Sequence, residues 1–202
     1  ALSGVSRETS DRLGLYLDLL RRWNRTINLV GPSTLSDPWR RHILDSTQLA
    51  PMLPTESGAF VDLGSGAGLP GVPLALAAPG WRGTLIESDG RKAAFIREAA
   101  RATGADIVVR NARIESVVDL KVDVATARAL APLSDLIQHA RRCLADGGIC
   151  LFLKGRRFAD ELTESTRRLI VSLEARPSAT DDKARILRVV PHVVEDGQKN
   201  GD

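Results

Sequence analysis

Between residues 12 and 29 the apolar side chains fall at Leu13, Tyr16, Leu17, Leu20, Trp23 and Ile27, the spacing of one helical face. Gly31-Pro32 ends that pattern, and a second helix is expected to open at Asp37, with Pro38 in its first turn, and to stop before Pro54. The pattern then changes. Short apolar runs at 59–63, 83–87, 106–109, 122–126 and 149–153 read as buried parallel strands. Helices or helical turns are expected between them, at 71–78, 91–103, 113–118 and 133–144. This alternation predicts a right-handed, doubly wound α/β sheet. A late helix over 158–169 precedes two weaker strand patterns, 171–175 and 185–190, which read as an antiparallel edge. Residues 1–56 are therefore expected to be a helical extension, and residues 57–202 one compact unit.

Composition narrows the class. The chain has 202 residues, 43% of them hydrophobic, which suits a single globular domain with a core of its own. Its two cysteines, Cys143 and Cys150, match neither a disulfide framework nor a zinc motif, and both lie in apolar segments. No apolar run reaches the ~18 residues of a membrane span, and the N-terminus lacks an apolar signal stretch. A cytoplasmic monomer is expected, and secreted, membrane-spanning and zinc-ribbon readings fall away. The net charge is only +3, yet all but five of the 28 basic residues are arginine. That bias fits an RNA partner, whose phosphates and bases suit the guanidinium plane, and equally a GC-rich genome. Distribution adds more, since 91–113 carries a local excess of positive charge and Lys154, Arg156 and Arg157 follow an apolar strand.

The most informative segment is FVDLGSGAGLPGVPLA at 60–75, where a strand runs into Gly64, Gly66 and Gly68 and then into a helix. Glycines so spaced let the backbone turn tightly against a nucleotide-like ligand. Gly66, Gly68 and Gly71 also fit the dinucleotide pattern G-x-G-x-x-G, with Glu87 about twenty residues on as a ribose acceptor. Two features oppose a diphosphate. Pro70 and Pro73 remove N–H groups from the first helical turn, and Asp62 puts a carboxylate just before the first glycine. A cationic ligand fits better, and S-adenosylmethionine carries an ammonium and a sulfonium and no phosphate. Asp62 would face its amino-acid end, directly or through water, and Glu87 its ribose hydroxyls.

RWNRTINLVG from Arg22, RRHILDS from Arg40, VDLGSGAGLPGVPLA from Val61, LIESDGRKAAFIRE from Leu85, NARIES from Asn111, ARALAPL from Ala127 and LFLKG from Leu151 run along nearly the whole chain. In that order the sequence resembles the RsmG (GidB) family of bacterial small-subunit rRNA guanine-N7 methyltransferases. The resemblance implies the mostly parallel, seven-stranded, Rossmann-like class I sheet of S-adenosylmethionine-dependent methyltransferases. It implies S-adenosylhomocysteine as product and 16S rRNA of the small ribosomal subunit as substrate, at the guanine usually numbered 527. Carried over by motif, Gly64 and Leu69 line the cofactor site, with Gly66 between them. Glu87, Ser88 and Asp89 follow the second strand, Ile114 and Glu115 the third, and Arg128 the fourth. Arg128 has two roles open to it, pairing with the methionine carboxylate or positioning the guanine.

No general base stands out, and the chemistry accounts for that. Guanine N7 has a free lone pair and no proton to remove, so an in-line displacement needs positioning and exclusion of water. Neither a metal nor a ligand cluster for one is expected. His42 reads as a packing or hydrogen-bonding histidine, and Asn24 and Asn28 as cross-links of the N-terminal helix. Arg40, Arg41, Lys154, Arg156 and Arg157 are the candidates for gripping RNA, each with a plain solvated charge as the rival reading. An NAD-dependent oxidoreductase, a non-catalytic RNA-binding module and a methyltransferase for another substrate are the competing functions. Binding of S-adenosylhomocysteine but not NAD separates the first of these.

Overall fold

The computed structural model describes residues 5–128 and 130–192, so the expected unit 57–202 runs beyond the described residues at its C-terminal end. Helix α1 (Arg7–Trp23) is capped by Ser6, whose hydroxyl accepts from Thr9 N, and buries Leu13, Tyr16, Leu17, Leu19 and Leu20. It ends before the apolar spacing does. The Asn24 Oδ1 accepts the N–H groups of Leu29 and Val30 at 2.8 and 2.9 Å, folding the chain back while Ile27 still packs on the core.

The continuous helix expected over 37–53 is a broken run. It comprises a 3-10 turn (Pro32–Ser36), a π-helical turn (Trp39–Leu44), the short α2 (Asp45–Thr47) and a further 3-10 turn (Ala50–Met52). Ser46 and Thr47 supply a physical reason. Their hydroxyls donate to the carbonyls of His42 and Ile43, four residues back, a pairing that bends helices.

The sheet follows as β1 (Gly58–Leu63), α3 (Gly71–Ala77), β2 (Trp81–Ile86), α4 (Gly90–Thr103), β3 (Ile107–Arg110), β4 (Val122–Arg128), α5 (Leu133–Cys143) and β5 (Leu144–Lys154). Then come α6 (Glu164–Arg167), β6 (Ile170–Pro177) and β7 (Arg185–Pro191). The strand order is β3-β2-β1-β4-β5-β7-β6, parallel through the first five, with β7 antiparallel to both of its neighbours. This is the doubly wound, mostly parallel, seven-stranded sheet expected. Two expected helices shrink: 113–118 holds only the 3-10 turn Ile114–Ser116, and 158–169 a 3-10 turn (Arg156–Glu161) followed by α6.

Alternation along β1 divides the core. Phe60 points into a cluster with Leu13, Tyr16, Val72 and Phe95, whereas Val61 and Leu63 join Leu136, Ile137 and Phe152 under α5. The extension thus packs into the same buried cluster as the sheet. Cys143 and Cys150 are buried and free, and among the described residues no helix is long and apolar enough to cross a membrane.

Candidate active site

The turn after β1 is built by backbone conformation. Gly64, Gly66 and Gly68 all have positive φ, at 64°, 56° and 75°, a region that L side chains rarely enter. A Cβ on Gly64 would run into Leu130, and one on Gly68 would come within 2.7 Å of Val72. At Gly66 a Cβ would meet nothing nearer than the Gly64 carbonyl at 4.0 Å, so the middle of the turn faces open space. Gly71 serves packing, since its bare backbone lies against Leu85 of β2.

Glu87, just past β2, completes this cradle. It is buried, and its two carboxylate oxygens accept from Gly66 N at 2.7 Å and Asp89 N at 2.8 Å. Each oxygen keeps a lone pair for a hydroxyl, as a ribose diol requires. Asn111 ties β3 to the same corner by donating to the carbonyls of Glu87 and Ser88. The Ser88 side chain stands exposed, and the Asp89 carboxylate caps α4 by accepting from Arg91 N and Lys92 N. Ile114 is half-buried against the α5-side core, and Glu115 is exposed, 3.9 Å from His139. Leu69 is buried where the turn enters α3.

Asp62 sits beneath the turn. It is fully buried, and its carboxylate accepts from Thr126 Oγ1 at 2.9 Å and Gly71 N at 3.3 Å. Burial pushes its carboxyl up to about 6, and the hydrogen bonds from Ser65, Thr126 and Gly71 oppose that rise. Within the protein, this carboxylate braces the start of α3.

One member of the site escaped sequence reading. The Tyr16 hydroxyl donates to Ala67 O at 2.7 Å, fully buried, so α1 holds the glycine turn from behind. Desolvation raises the phenol well above its ordinary range and keeps it a donor. Tyr16 lies on the apolar stripe of α1, and nothing in the spacing marks its oxygen.

At the end of β4 the Arg128 Nη1 donates to Asp45 Oδ2 at 3.3 Å and to Arg41 O at 3.2 Å. Asp45 is held in turn by Thr180 Oγ1 at 2.7 Å and Gln48 Nε2 at 3.2 Å. His42, beside them, is buried against Thr34, and desolvation together with Arg128 and Arg41 lowers its pKa to about 4. It is neutral at pH 7.

The basic candidates divide. Arg40, Arg41, Arg156 and Arg157 are exposed. Lys154 is buried, with Nζ 2.8 Å from Glu161 and 2.9 Å from Ala131 O, so the exposed rim charge expected at this position is replaced by an internal ion pair. Glu161 also takes the N–H of Leu133 at the start of α5, and Arg157 approaches Asp160 at 3.6 Å. Among the described residues no group of three or more His, Cys, Asp or Glu is placed to hold a metal.

The model of the GidB family, described as rRNA small subunit methyltransferase G, matches residues 9–186. The chain belongs to this family. It is an S-adenosylmethionine-dependent rRNA methyltransferase by that membership. Proteins named ribosomal RNA small subunit methyltransferase G from Paramagnetospirillum magneticum and Rhodospirillum centenum are each 53% identical to it. The first alignment covers 93% of this chain and 91% of the relative, and the second 94% and 87%. Solved structures share the fold at low identity. An S-adenosylmethionine-dependent O-methyltransferase from Thermotoga maritima aligns over 91% of this chain and 73% of its own, at 15% identity and TM-score 0.62. The fibrillarin pre-rRNA processing protein of Methanococcus jannaschii aligns over 74% and 76%, at 14% identity and TM-score 0.56.

Proposed function

We propose that this methyltransferase modifies N7 of guanine-527 of 16S rRNA, within the small ribosomal subunit or an assembly intermediate of it, by in-line displacement without a general base. The carrying observation is the family match over nearly the whole chain, together with a glycine turn and a Glu87 carboxylate that suit a ribose and offer no phosphate site. When bound, S-adenosylmethionine supplies an electrophilic methyl on a sulfonium. Gly64, Gly66 and Leu69 would line its binding cradle, Glu87 would take the ribose hydroxyls, and Ser88, Asp89, Ile114 and Glu115 would border the adenine. Asp62 would act through the turn it braces, supporting the amino-acid end from below.

The reaction asks little acid–base work of the protein. N7 offers a lone pair at neutral pH, so these residues need only align it with the methyl and keep water out. His42 is neutral and Asp62 ionised well before pH 7, and neither is in position to act as a switch above it. No metal ion is needed to raise the reactivity of such a nucleophile. Arg40, Arg41, Arg156 and Arg157 would hold phosphates around a guanine presented from a loop, because N7 lies in the narrow groove of an A-form helix. We read the enzyme as a cytoplasmic monomer.

The test is methyl transfer to small subunits that lack the modification, followed by mapping of the methylated base and atom. Label at N7 of the single expected guanine is the outcome the reading requires. Label elsewhere overturns the substrate assignment. A single-turnover rate that rises tenfold per pH unit between about pH 6.5 and 8.5 overturns the base-free mechanism.

A further inference from the structure

The cofactor cradle occupies the carboxyl ends of β1 and β2. Next along the same edge, the ends of β4 and β5 open into a cleft of about 350 Å³ between the extension and the loop joining β6 to β7. Thr34, Arg41, Asp45, Arg128, Thr180 and Arg185 all contribute to its walls. Ligands of open α/β sheets bind at this edge, and the volume lies in the range of small-molecule sites. Arg128 stands where cradle and cleft meet, since Leu130, two residues on, lies over Gly64 of the glycine turn.

The wall is unusually well prepared. In a regular α-helix the Arg41 carbonyl would take the N–H of Asp45. Here the π turn sends that N–H to Arg40 O, and Arg41 O receives the Arg128 guanidinium instead. Asp45 neutralises Arg128 and is itself fixed by Thr180 and Gln48. Only Nη1 of Arg128 is engaged among the described residues, which leaves its other N–H donors for a ligand. Arg41 is exposed and has no side-chain partner among the described residues.

We propose that this cleft is the subsite of the target nucleotide, with Arg128 donating to guanine O6, Arg41 holding a neighbouring phosphate, and Asp45 acting as the positioning residue for Arg128. The proposal rests on the guanine-N7 reading above and goes further by naming what reads the base. O6 is the acceptor beside N7 on the same edge, and adenine presents an amino donor there, so an arginine at this place selects guanine. Methylation leaves a positive charge on the base. An arginine already neutralised by Asp45 can donate to O6 without repelling that product.

The experiment compares Asp45→Asn and Arg41→Ala with Arg142→Ala, an exposed arginine in the last turn of α5 at the opposite end of the sheet. Small-subunit methyl transfer is measured under single-turnover conditions, and S-adenosylhomocysteine affinity by calorimetry. Asp45→Asn is expected to lower the saturated rate by about tenfold or more, because Arg128 is left uncompensated. Arg41→Ala, which removes only an exposed side chain, is expected to raise the half-saturating subunit concentration several-fold with the rate retained. Cofactor affinity should stay within about twofold in both. A loss of cofactor affinity in Asp45→Asn instead would assign Arg128 to the methionine carboxylate and overturn the proposal. So would equal effects of Arg41→Ala and Arg142→Ala, which would reduce the cleft to general charge, or no effect of Arg41→Ala. If base mapping on the unaltered enzyme finds a different atom, the guanine-N7 reading fails whatever the variants do. If mapping holds and the variants behave as the parent, only the cleft assignment fails.

Discussion

Replacing Tyr16 by Phe removes one oxygen and nothing else from the back of the glycine turn. The ring stays in place, packed against Phe95 at a centroid distance of 6.1 Å, so neither volume nor apolar burial changes much. What is lost is the donor to Ala67 O, and the carbonyl is left in a buried setting without it. A buried hydrogen bond is worth about 1 kcal/mol net, and more when the abandoned partner stays dry, so about 1–2 kcal/mol is at issue. Where that energy appears depends on the turn. If bound cofactor re-imposes the conformation that Tyr16 holds in the free enzyme, the cost falls on binding. S-adenosylhomocysteine should then bind about five- to thirty-fold more weakly by calorimetry. If free and bound states lose the bond equally, the cost appears as a melting temperature lower by about 2–8 °C with affinity unchanged. We expect the first pattern, because Gly64, Gly66 and Gly68 impose little conformation of their own. Unchanged affinity would refute the idea that α1 organises the cofactor site.

Glu87→Ala should weaken S-adenosylhomocysteine by about 2–4 kcal/mol, since two charge-assisted bonds and the brace on Gly66 go together; calorimetry decides it. Glu161→Ala should cost roughly 3 kcal/mol in chemical denaturation, because it strands the buried Lys154 ammonium and uncaps Leu133 N. Two buried groups should pull stability in opposite directions on acidification. Asp62, raised from 3.8 to about 6, contributes stability that is full below pH 3.8 and lost as pH rises through 6. His42, lowered from 6.5 to about 4, contributes stability present above 6.5 and lost as pH falls through 4. Relative to the parent, then, Asp62→Asn should lose stability and His42→Gln gain it as pH falls from 6 to 4, and slopes of equal sign would refute both assignments.

The strands were legible because burial on both faces writes them as unbroken apolar runs. β5 was read too short, since Ala145-Asp146-Gly147-Gly148 looks like a turn. Yet the strand begins at Leu144 and takes a register shift against β4, with Gly147 at φ 76°. Gly64, Gly66, Gly68 and Glu87 stood out because a glycine turn and an acid at the next strand end are local signals. Lys154 and Tyr16 had no such mark. A lysine ending a strand looks the same from sequence whether it faces water or a carboxylate seven residues on, and only the 3-10 turn over Arg156–Glu161 brings that carboxylate back. The π turn was equally hidden. Its apolar spacing passes for a helix, and the hydroxyl back-bonds of Ser46 and Thr47 that widen it are not visible in a periodicity.

The change of pattern near residue 56 divides the sequence more sharply than it divides the molecule. Leu13, Tyr16, Leu17 and Leu20 are buried in the same cluster as Phe60, Val72 and Phe95. At about 1.5–3 kcal/mol per large buried side chain, these four alone are worth roughly 6–12 kcal/mol, as much as the whole net stability of an ordinary domain. A sheet without the extension would therefore expose the face on which α3 and α4 rest. The same segment reaches the chemistry at two separate points, through Tyr16 to the glycine turn and through Asp45 to Arg128. Both contacts are made by side chains fixed in the core or in a closed polar network, so the extension sets the two halves of the site in one frame. That is the requirement of a reaction whose catalysis is alignment: the groups that hold the donor and the groups that hold the acceptor must be anchored to one rigid body.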